Sequence, residues 1–269
     1  MKYARKYSIQ IGCQEIGQPS PTPPARFHVS LHWRGLRRQL CSNSAPGVGS
    51  LRSIARRASL GTLQLATVYH QPVEYDDVTA FILAGGKSAR MGQDKALLSL
   101  AGQTLLSRAL VEARLIAPKV LIVGDPAKFA GFGAVIADIY PGRGPLGGIH
   151  AALMSTNSEL NLMMAVDTPF IPGQLFDFLI GEARSSDAVV TVPRIGGFMH
   201  PLCAVYRREF AKVSEQALIL GQNKIDSLFT EVKTRVVEEA ELLQMGFQAR
   251  MFRNLNTPEE FEEAQLKEV

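Results

Sequence analysis

The chain has too few cysteines, too widely spaced, for a disulfide framework or a structural zinc site. Its 269 residues include only Cys13, Cys41 and Cys203, an odd number without the short spacings of a metal site. It also lacks an apolar run near 18 residues and a secretory apolar segment, which argues against a transmembrane helix. With 46% hydrophobic residues, the composition predicts a globular domain in a reducing compartment, and we expect a cytoplasmic protein.

Acidic residues are almost absent from the first 73 residues. This segment has ten Lys and Arg residues against one acid, Glu15, so it carries +9 and the rest of the chain −5 of the total of +4. The mildly acidic remainder excludes a uniformly basic nucleic-acid-binding domain. Without any sustained helical or strand period, residues 1–76 are predicted to be a basic, disordered extension, and 77–269 the folded domain. The extension has three interpretations: a nucleic-acid arm, a transit peptide, or translation from a start codon placed too far upstream. Composition favours the last.

The most informative stretch is an apolar run that breaks into glycines and then delivers two spaced cations. Residues 78–83 are typical of a buried strand, and Gly85 and Gly86 allow a sharp turn whose amides can face an anion. Arg90 and Lys95 add a planar guanidinium and a compact ammonium, which suit a triphosphate. The glycine spacing fits neither a Walker loop nor a dinucleotide-binding loop. The stretch therefore predicts a phosphate site of another type.

Strand and helix patterns alternate from residue 77 onward. Strands are predicted at 78–83, 119–123, 134–137, 160–166, 188–192, 202–206, 234–237 and 251–255, with a short extended piece at 96–102. Helices are predicted at 104–117, from the loop 140–148 to about 154, at 207–220, and from 258. This alternation predicts an α/β fold, a Rossmann-like, mostly parallel sheet with helices on both faces. Ligands bind beyond the carboxyl ends of such strands, where Gly85, Asp138 and Asp167 lie.

The loop Leu83-Ala84-Gly85-Gly86-x-Ser88-x-Arg90-Met91-Gly92-x-Asp94-Lys95 resembles the signature loop of the nucleotidyltransferases. It is most similar to that of the molybdenum cofactor guanylyltransferases. Further blocks resemble the same family in the family's order: Gly144 to Gly148, Val166 to Pro169, His200-Pro201 and Asn254 to Glu259. The resemblance covers roughly residues 78–266 and leaves the first 77 without a counterpart.

The resemblance implies transfer of GMP from GTP to Mo-molybdopterin, with release of pyrophosphate and Mg²⁺ as the cofactor. It implies catalytic roles for Arg90, Lys95 and Asp167, the last as the metal ligand. The implied nucleotide-binding residues are Leu83, Ala84, Gly85, Lys95, Asp138 and Asp167. Molybdopterin-inserting proteins and recipient molybdoenzymes are the implied protein partners, whereas no membrane or nucleic acid is expected.

Two groups of alternatives stay open for the function. Some family members place an Asn at the end of the second strand as a nucleotide contact, where this chain has Gly124-Asp125. A cytidylyltransferase or a sugar-phosphate nucleotidyltransferase would share the loop and Asp167. A non-catalytic nucleotide-binding or cofactor-delivery module is the alternative of another class, and the presence of Arg90, Lys95 and Asp167 together argues against it.

The acceptor side is open as well. Gly142 to Gly148, His200-Pro201 and Asn254 to Thr257 would frame the pterin phosphate, with Arg143 as a cation for it. A His before Pro is more often a loop residue than a ligand, and Asn256 equally suits a helix cap or a substrate contact. Asp167 has a similar alternative, as a capping or turn aspartate.

Overall fold

The computed structural model describes residues 75–85 and 94–268, with side chains to residue 266. The predictions for residues 1–74 and for Arg90 lie outside the described residues. The strands are β1 Val78–Leu83, β2 Ser99–Leu100, β3 Gln103–Thr104, β4 Lys119–Val123, β5 Val135–Ile136, β6 Leu160–Ala165, β7 Val190–Ile195, β8 Phe198–Met199, β9 Cys203–Arg207 and β10 Thr234–Val237. The α-helices are α1 Leu105–Arg114, α2 Pro126–Phe129, α3 Pro145–Met154, α4 Gly173–Ser185, α5 Phe210–Ile219, α6 Ile225–Leu228, α7 Glu239–Gln244 and α8 Pro258–Glu268. Lys95–Leu97 and Ala249–Phe252 are 3₁₀ turns.

The main sheet has the strand order β10-β7-β9-β6-β1-β4-β5, with β8 paired to β7. β5, β4, β1 and β6 are parallel neighbours, and β10 is parallel to β7. β9 runs antiparallel to both β6 and β7. The predicted Rossmann-like, mostly parallel sheet is therefore confirmed.

β1 lies inside the sheet between β6 and β4, and all six of its residues are buried. Because side chains alternate across a strand, Val78, Ala80 and Ile82 enter one hydrophobic core, which also holds residues of α1 and α4. Phe81 and Leu83 enter the other core, with α3 and α5. Helices thus cover both faces, as predicted, and β1 carries the chain to the edge of the sheet between two packed layers.

A third, smaller core attaches the C-terminal helix to the segment that follows Lys95. Leu100 and Leu105, at the two ends of the β2–β3 hairpin, pack with Leu255, Phe261 and Ala264. The hairpin comes directly after the Lys95–Leu97 turn. A segment near the start of the predicted domain therefore meets the helix at its end.

The predicted strand at 251–255 is wrong. Its first part belongs to the 3₁₀ turn Ala249–Phe252, and the residues after it are irregular. The buried residues are Phe252 and Leu255, three positions apart, which matches a tight turn rather than the alternation of a strand. The predicted extended piece at 96–102 likewise begins as the Lys95–Leu97 turn and becomes extended only at Ser99.

The folded domain begins before the predicted boundary at residue 77, because Tyr75 is part of it. The first 73 residues are not expected to contribute to its packing. The Tyr75 side chain is 5% exposed, its amide donates to the Ile116 carbonyl at 2.9 Å, and the Arg184 guanidinium lies 4.5 Å from its ring centre. A chain that begins at Glu74 should therefore melt at the same temperature as the full chain, measured by calorimetry. A chain that begins at Asp77 should melt about 5–10 °C lower, because it loses a buried aromatic side chain. Destabilisation of the longer variant would contradict a folded domain that begins near Tyr75.

Because of the buried side chain of His150, we expect the folded protein to lose stability in mild acid. This α3 residue is 1% exposed, and neither ring nitrogen has a hydrogen-bond partner among the described residues. Burial lowers its pKa from 6.5, opposed by the charge of Glu215, so below about pH 6.5 the unfolded chain binds the proton more readily. Stability should therefore fall as the pH drops through this range. His150→Phe keeps a ring against Tyr140 and should flatten the plot of melting temperature against pH; parallel plots would contradict the assignment.

Candidate active site

The carboxyl ends of four parallel strands are aligned at one edge of the sheet. Leu83 of β1 lies opposite both Val123 of β4 and Ala165 of β6, and Val123 lies opposite Ile136 of β5. The residues after these positions include Ala84, Gly85, Asp138 and Asp167. The structure therefore brings together at one edge the strand-end residues that the sequence analysis singled out.

The backbone after β1 is held by its neighbours in the sheet. The amides of Ala84 and Gly85 both donate to the Val123 carbonyl, at 2.9 and 3.2 Å, and the Leu83 carbonyl accepts from the Val166 amide at 3.4 Å. Any backbone contact of Ala84 and Gly85 with a nucleotide therefore falls to their carbonyl oxygens.

Asp138 is half-buried beside the first turns of α3. A β-carbon placed on Gly148 would lie 3.6 Å from Asp138 Oδ1 and 3.2 Å from Leu83 Cδ2. A glycine at this position of α3 therefore lets the strand ends and the carboxylate approach the helix closely. Burial raises the pKa of Asp138.

Asp167 follows β6 by two residues and is half-buried. Burial raises the pKa of its carboxyl group, and the nearby Lys95 ammonium lowers it. Its backbone carbonyl accepts a hydrogen bond from the Leu255 amide at 2.8 Å. The C-terminal segment therefore fixes the backbone of Asp167.

The carboxylate of Asp167 fits a hard divalent cation, because a cation would compensate the cost of burying its charge. Within residues 75–85 and 94–268, no cluster of three or more His, Cys, Asp or Glu side chains is arranged to bind a metal. A metal at Asp167 would therefore take its other ligands largely from phosphate oxygens and water, which is how Mg²⁺ is commonly bound.

Lys95 is the first residue of the 3₁₀ turn Lys95–Leu97. Its ammonium donates to Asn256 Oδ1 at 2.6 Å. The turn is capped by Asp94, which accepts from the Ala96 amide at 3.2 Å and forms an ion pair with Lys128 at 2.9 Å. Sequence reasoning gave Asp94 and Lys128 no role, although an aspartate just before a helical turn is a recognisable cap signal.

The profile of the MobA-like NTP transferase domain family matches residues 80–236, more than half of the chain. The chain belongs to this family. The molybdenum cofactor guanylyltransferase of Desulfosudis oleivorans is 37% identical over 193 residues, which are 71% of this chain and 95% of that protein. A probable molybdenum cofactor guanylyltransferase of Carboxydothermus hydrogenoformans is 35% identical over 187 residues, 69% of this chain and 94% of that protein.

The fold of this MobA-like domain also has a solved counterpart. The crystal structure of molybdopterin-guanine dinucleotide biosynthesis protein A from Archaeoglobus fulgidus aligns with a TM-score of 0.63 at 24% identity. The alignment covers 70% of this chain and 97% of that one. At this identity the likeness supports the shared fold alone.

Within the block Asn254 to Pro258 of this MobA-like domain, Asn256 and Thr257 make different contacts. Thr257 caps α8, since its hydroxyl accepts from the Glu260 amide at 3.2 Å. The Glu260 carboxylate accepts in return from the amides of Asn256 and Thr257, at 2.6 and 3.1 Å. The sequence left open whether Asn256 caps the helix or contacts the substrate. The cap is Thr257, and the Asn256 side chain is directed to Lys95.

The other acceptor-side candidates have internal contacts. The His200 ring stacks on Phe252 with 4.6 Å between ring centres, and burial lowers its pKa, opposed by a hydrogen bond to the Ile195 backbone. The guanidinium of Arg143 lies against the turn after α5, where a β-carbon on Gly221 would be 3.8 Å from its Nη1. Their roles in binding an acceptor stay predictions, as do the assigned roles of the nucleotide-binding residues.

Proposed function

We propose that this MobA-like protein transfers GMP from GTP to Mo-molybdopterin, giving molybdopterin guanine dinucleotide and pyrophosphate. The observation that carries the proposal is the identity of 35–37% to molybdenum cofactor guanylyltransferases over 94–95% of their own length. The site supports it, because a glycine-bearing strand end, a lysine and a strand-end aspartate lie at one edge of the sheet.

The base and ribose would bind beside β1. Guanine presents N–H donors on its N1 and N2 atoms, and the carbonyl oxygens of Ala84 and Gly85 are acceptors suited to them. Asp138, next to Leu83 at the start of α3, suits the nucleoside hydroxyl groups. The amide groups of Ala84 and Gly85 already donate to Val123, so they would hold the shape of the pocket rather than bind phosphate.

The transfer step forms a bond between a phosphate oxygen of the acceptor and the α-phosphorus, and breaks the bond from that phosphorus to the β-phosphate oxygen. The pair of electrons leaves with pyrophosphate. Lys95 would hold the phosphates and neutralise charge that develops on the bridging oxygen, assisted by Arg90. Asp167 would hold Mg²⁺, which when bound neutralises phosphate charge and polarises the reacting phosphate.

Pyrophosphate release tests the reaction and the base together. Purified protein with Mg²⁺ and molybdopterin, given GTP, CTP, ATP and UTP in separate reactions, should release pyrophosphate mainly with GTP. A preference for CTP would overturn the assignment of guanine as the base, whereas the transfer reaction would still stand. Binding of GTP without any pyrophosphate release would favour the non-catalytic module instead.

The reaction with CTP is a necessary comparison, because Asp125 stands where some family members place an Asn that contacts the nucleotide. Asp125 Oδ1 accepts from the Ala127 amide at 2.9 Å and so caps α2. A carboxylate used as a helix cap is poorly placed to identify a base, which leaves the choice of base to other groups.

The proposed function also implies a cellular location, a domain boundary and protein partners. No helix among the described residues is long and apolar enough to cross a membrane. We propose a cytoplasmic enzyme in which the nucleotidyltransferase domain begins near Tyr75, two residues before the predicted boundary at 77, and residues 1–74 are a dispensable extension. Proteins that insert molybdopterin and molybdoenzymes that receive the product are its expected partners.

A further inference from the structure

Asn256 lies far from Lys95 in sequence and next to it in space. Its side-chain oxygen accepts from Lys95 Nζ at 2.6 Å, across 161 positions of the chain. A hydrogen bond donated by an ammonium group is shorter and stronger than one between neutral groups. The bond therefore restricts where the flexible lysine side chain can place its charge.

The backbone around Asn256 is itself fixed on both sides. On one side, the Leu255 amide donates to the Asp167 carbonyl at 2.8 Å. On the other, Thr257 caps α8, and the Glu260 carboxylate accepts from the Asn256 amide at 2.6 Å. Asn256 is thus held between the predicted metal ligand and a capped helix, with its side chain toward Lys95.

We infer that Asn256 is a positioning residue, which holds the Lys95 ammonium in register with Asp167 so that one phosphate chain meets both. The inference rests on the proposed function only in that Lys95 binds nucleotide phosphates, whichever base they carry. Asn256 in this role contacts Lys95 and needs no contact with the pterin. It explains why a segment near the end of the chain belongs to a phosphate site formed after β1.

A double-mutant cycle on nucleotide binding separates this role from a direct substrate contact. GTP affinity is measured by calorimetry in the presence of EDTA, for wild type, Asn256→Ala, Lys95→Ala and the double variant. Asn256→Ala should weaken binding roughly tenfold and Lys95→Ala roughly a hundredfold. The double variant should match Lys95→Ala, because the amide has nothing left to position. Additive losses would overturn the inference.

Gln265→Ala is the matched control. Its side-chain amide also links α8 to the segment after Lys95, by donating to the Ser99 carbonyl at 3.2 Å, but it contacts neither Lys95 nor Asp167. It should leave GTP affinity unchanged, with Asn256→Ala and wild type showing the same melting temperature within about 3 °C. An equal loss of affinity in Gln265→Ala would assign the effect to loosening of α8 and overturn the inference.

The same cycle run with CTP distinguishes the two proposals. If wild type binds CTP in preference to GTP, the guanine assignment fails, and the coupling between positions 95 and 256 is then measured with CTP. If Lys95→Ala binds nucleotide as tightly as wild type, Lys95 does not bind the phosphates and the positioning role fails with it. Weaker binding of molybdopterin alone in Asn256→Ala, with unchanged nucleotide affinity, would instead assign Asn256 to the acceptor.

Discussion

Asp167→Asn should abolish most pyrophosphate release while GTP still binds. The substitution keeps the volume and some hydrogen bonding of the side chain but removes the charge that would hold Mg²⁺. We expect turnover to fall about 10²–10³-fold, with partial recovery at most when Mg²⁺ is raised. Steady-state kinetics and a GTP binding isotherm measured side by side give the result.

A capping aspartate at this position would behave differently, because Asn caps a helix about as well as Asp and the change would cost only a few tenths of a kcal/mol. Near-normal turnover in Asp167→Asn would therefore refute its role as a metal ligand. Asp187→Asn is the control, since Asp187 is an exposed acid that pairs with Lys233, before β10. It should leave turnover unchanged.

Lys95→Ala should reduce the rate of transfer by about 10²-fold or more and leave the fold intact. An ammonium directed at the phosphates contributes to binding and more strongly to the transition state, where charge shifts to the leaving pyrophosphate. The specificity constant for GTP, measured with the melting temperature, gives both quantities.

Lys233→Ala removes the same charge from an exposed ion pair, whose contribution to stability is small. It should have wild-type kinetics, so that a loss in Lys95→Ala cannot be attributed to net charge. Wild-type turnover in Lys95→Ala would rule out the role assigned to this residue.

The sequence predicted the fold through its apolar periods. β1, β4 and β10 were predicted at their observed bounds because each is a compact run of apolar or β-branched residues ended by glycine, aspartate or a polar turn. Failures came where a short apolar run had no repeat long enough to choose a period, as at 251–255. Helix α4 was not predicted, although Leu175, Phe176 and Leu179 have helical spacing.

The site was predictable where it follows strand ends, because parallel strands carry their carboxyl ends to one edge whatever the details of packing. Contacts that depend on side-chain direction were not predictable. Nothing in the spacing of Asn256 and Thr257 decides which of the two caps α8, since either residue type can do so. The sequence also gives no sign that the Asn256 side chain meets Lys95, which lies 161 positions away in the chain.

The bond between Lys95 and Asn256 also links the site to the last part of the chain to be synthesised. The ribosome releases β1 and the residues after it long before the segment from Leu255 to Thr257, whereas a domain folds as a unit. A nascent chain, or one terminated early by a nonsense codon, would display the loop and Asp167 without the residue that directs the lysine. The site of this domain is therefore complete only after the last helix and the segment before it have been translated.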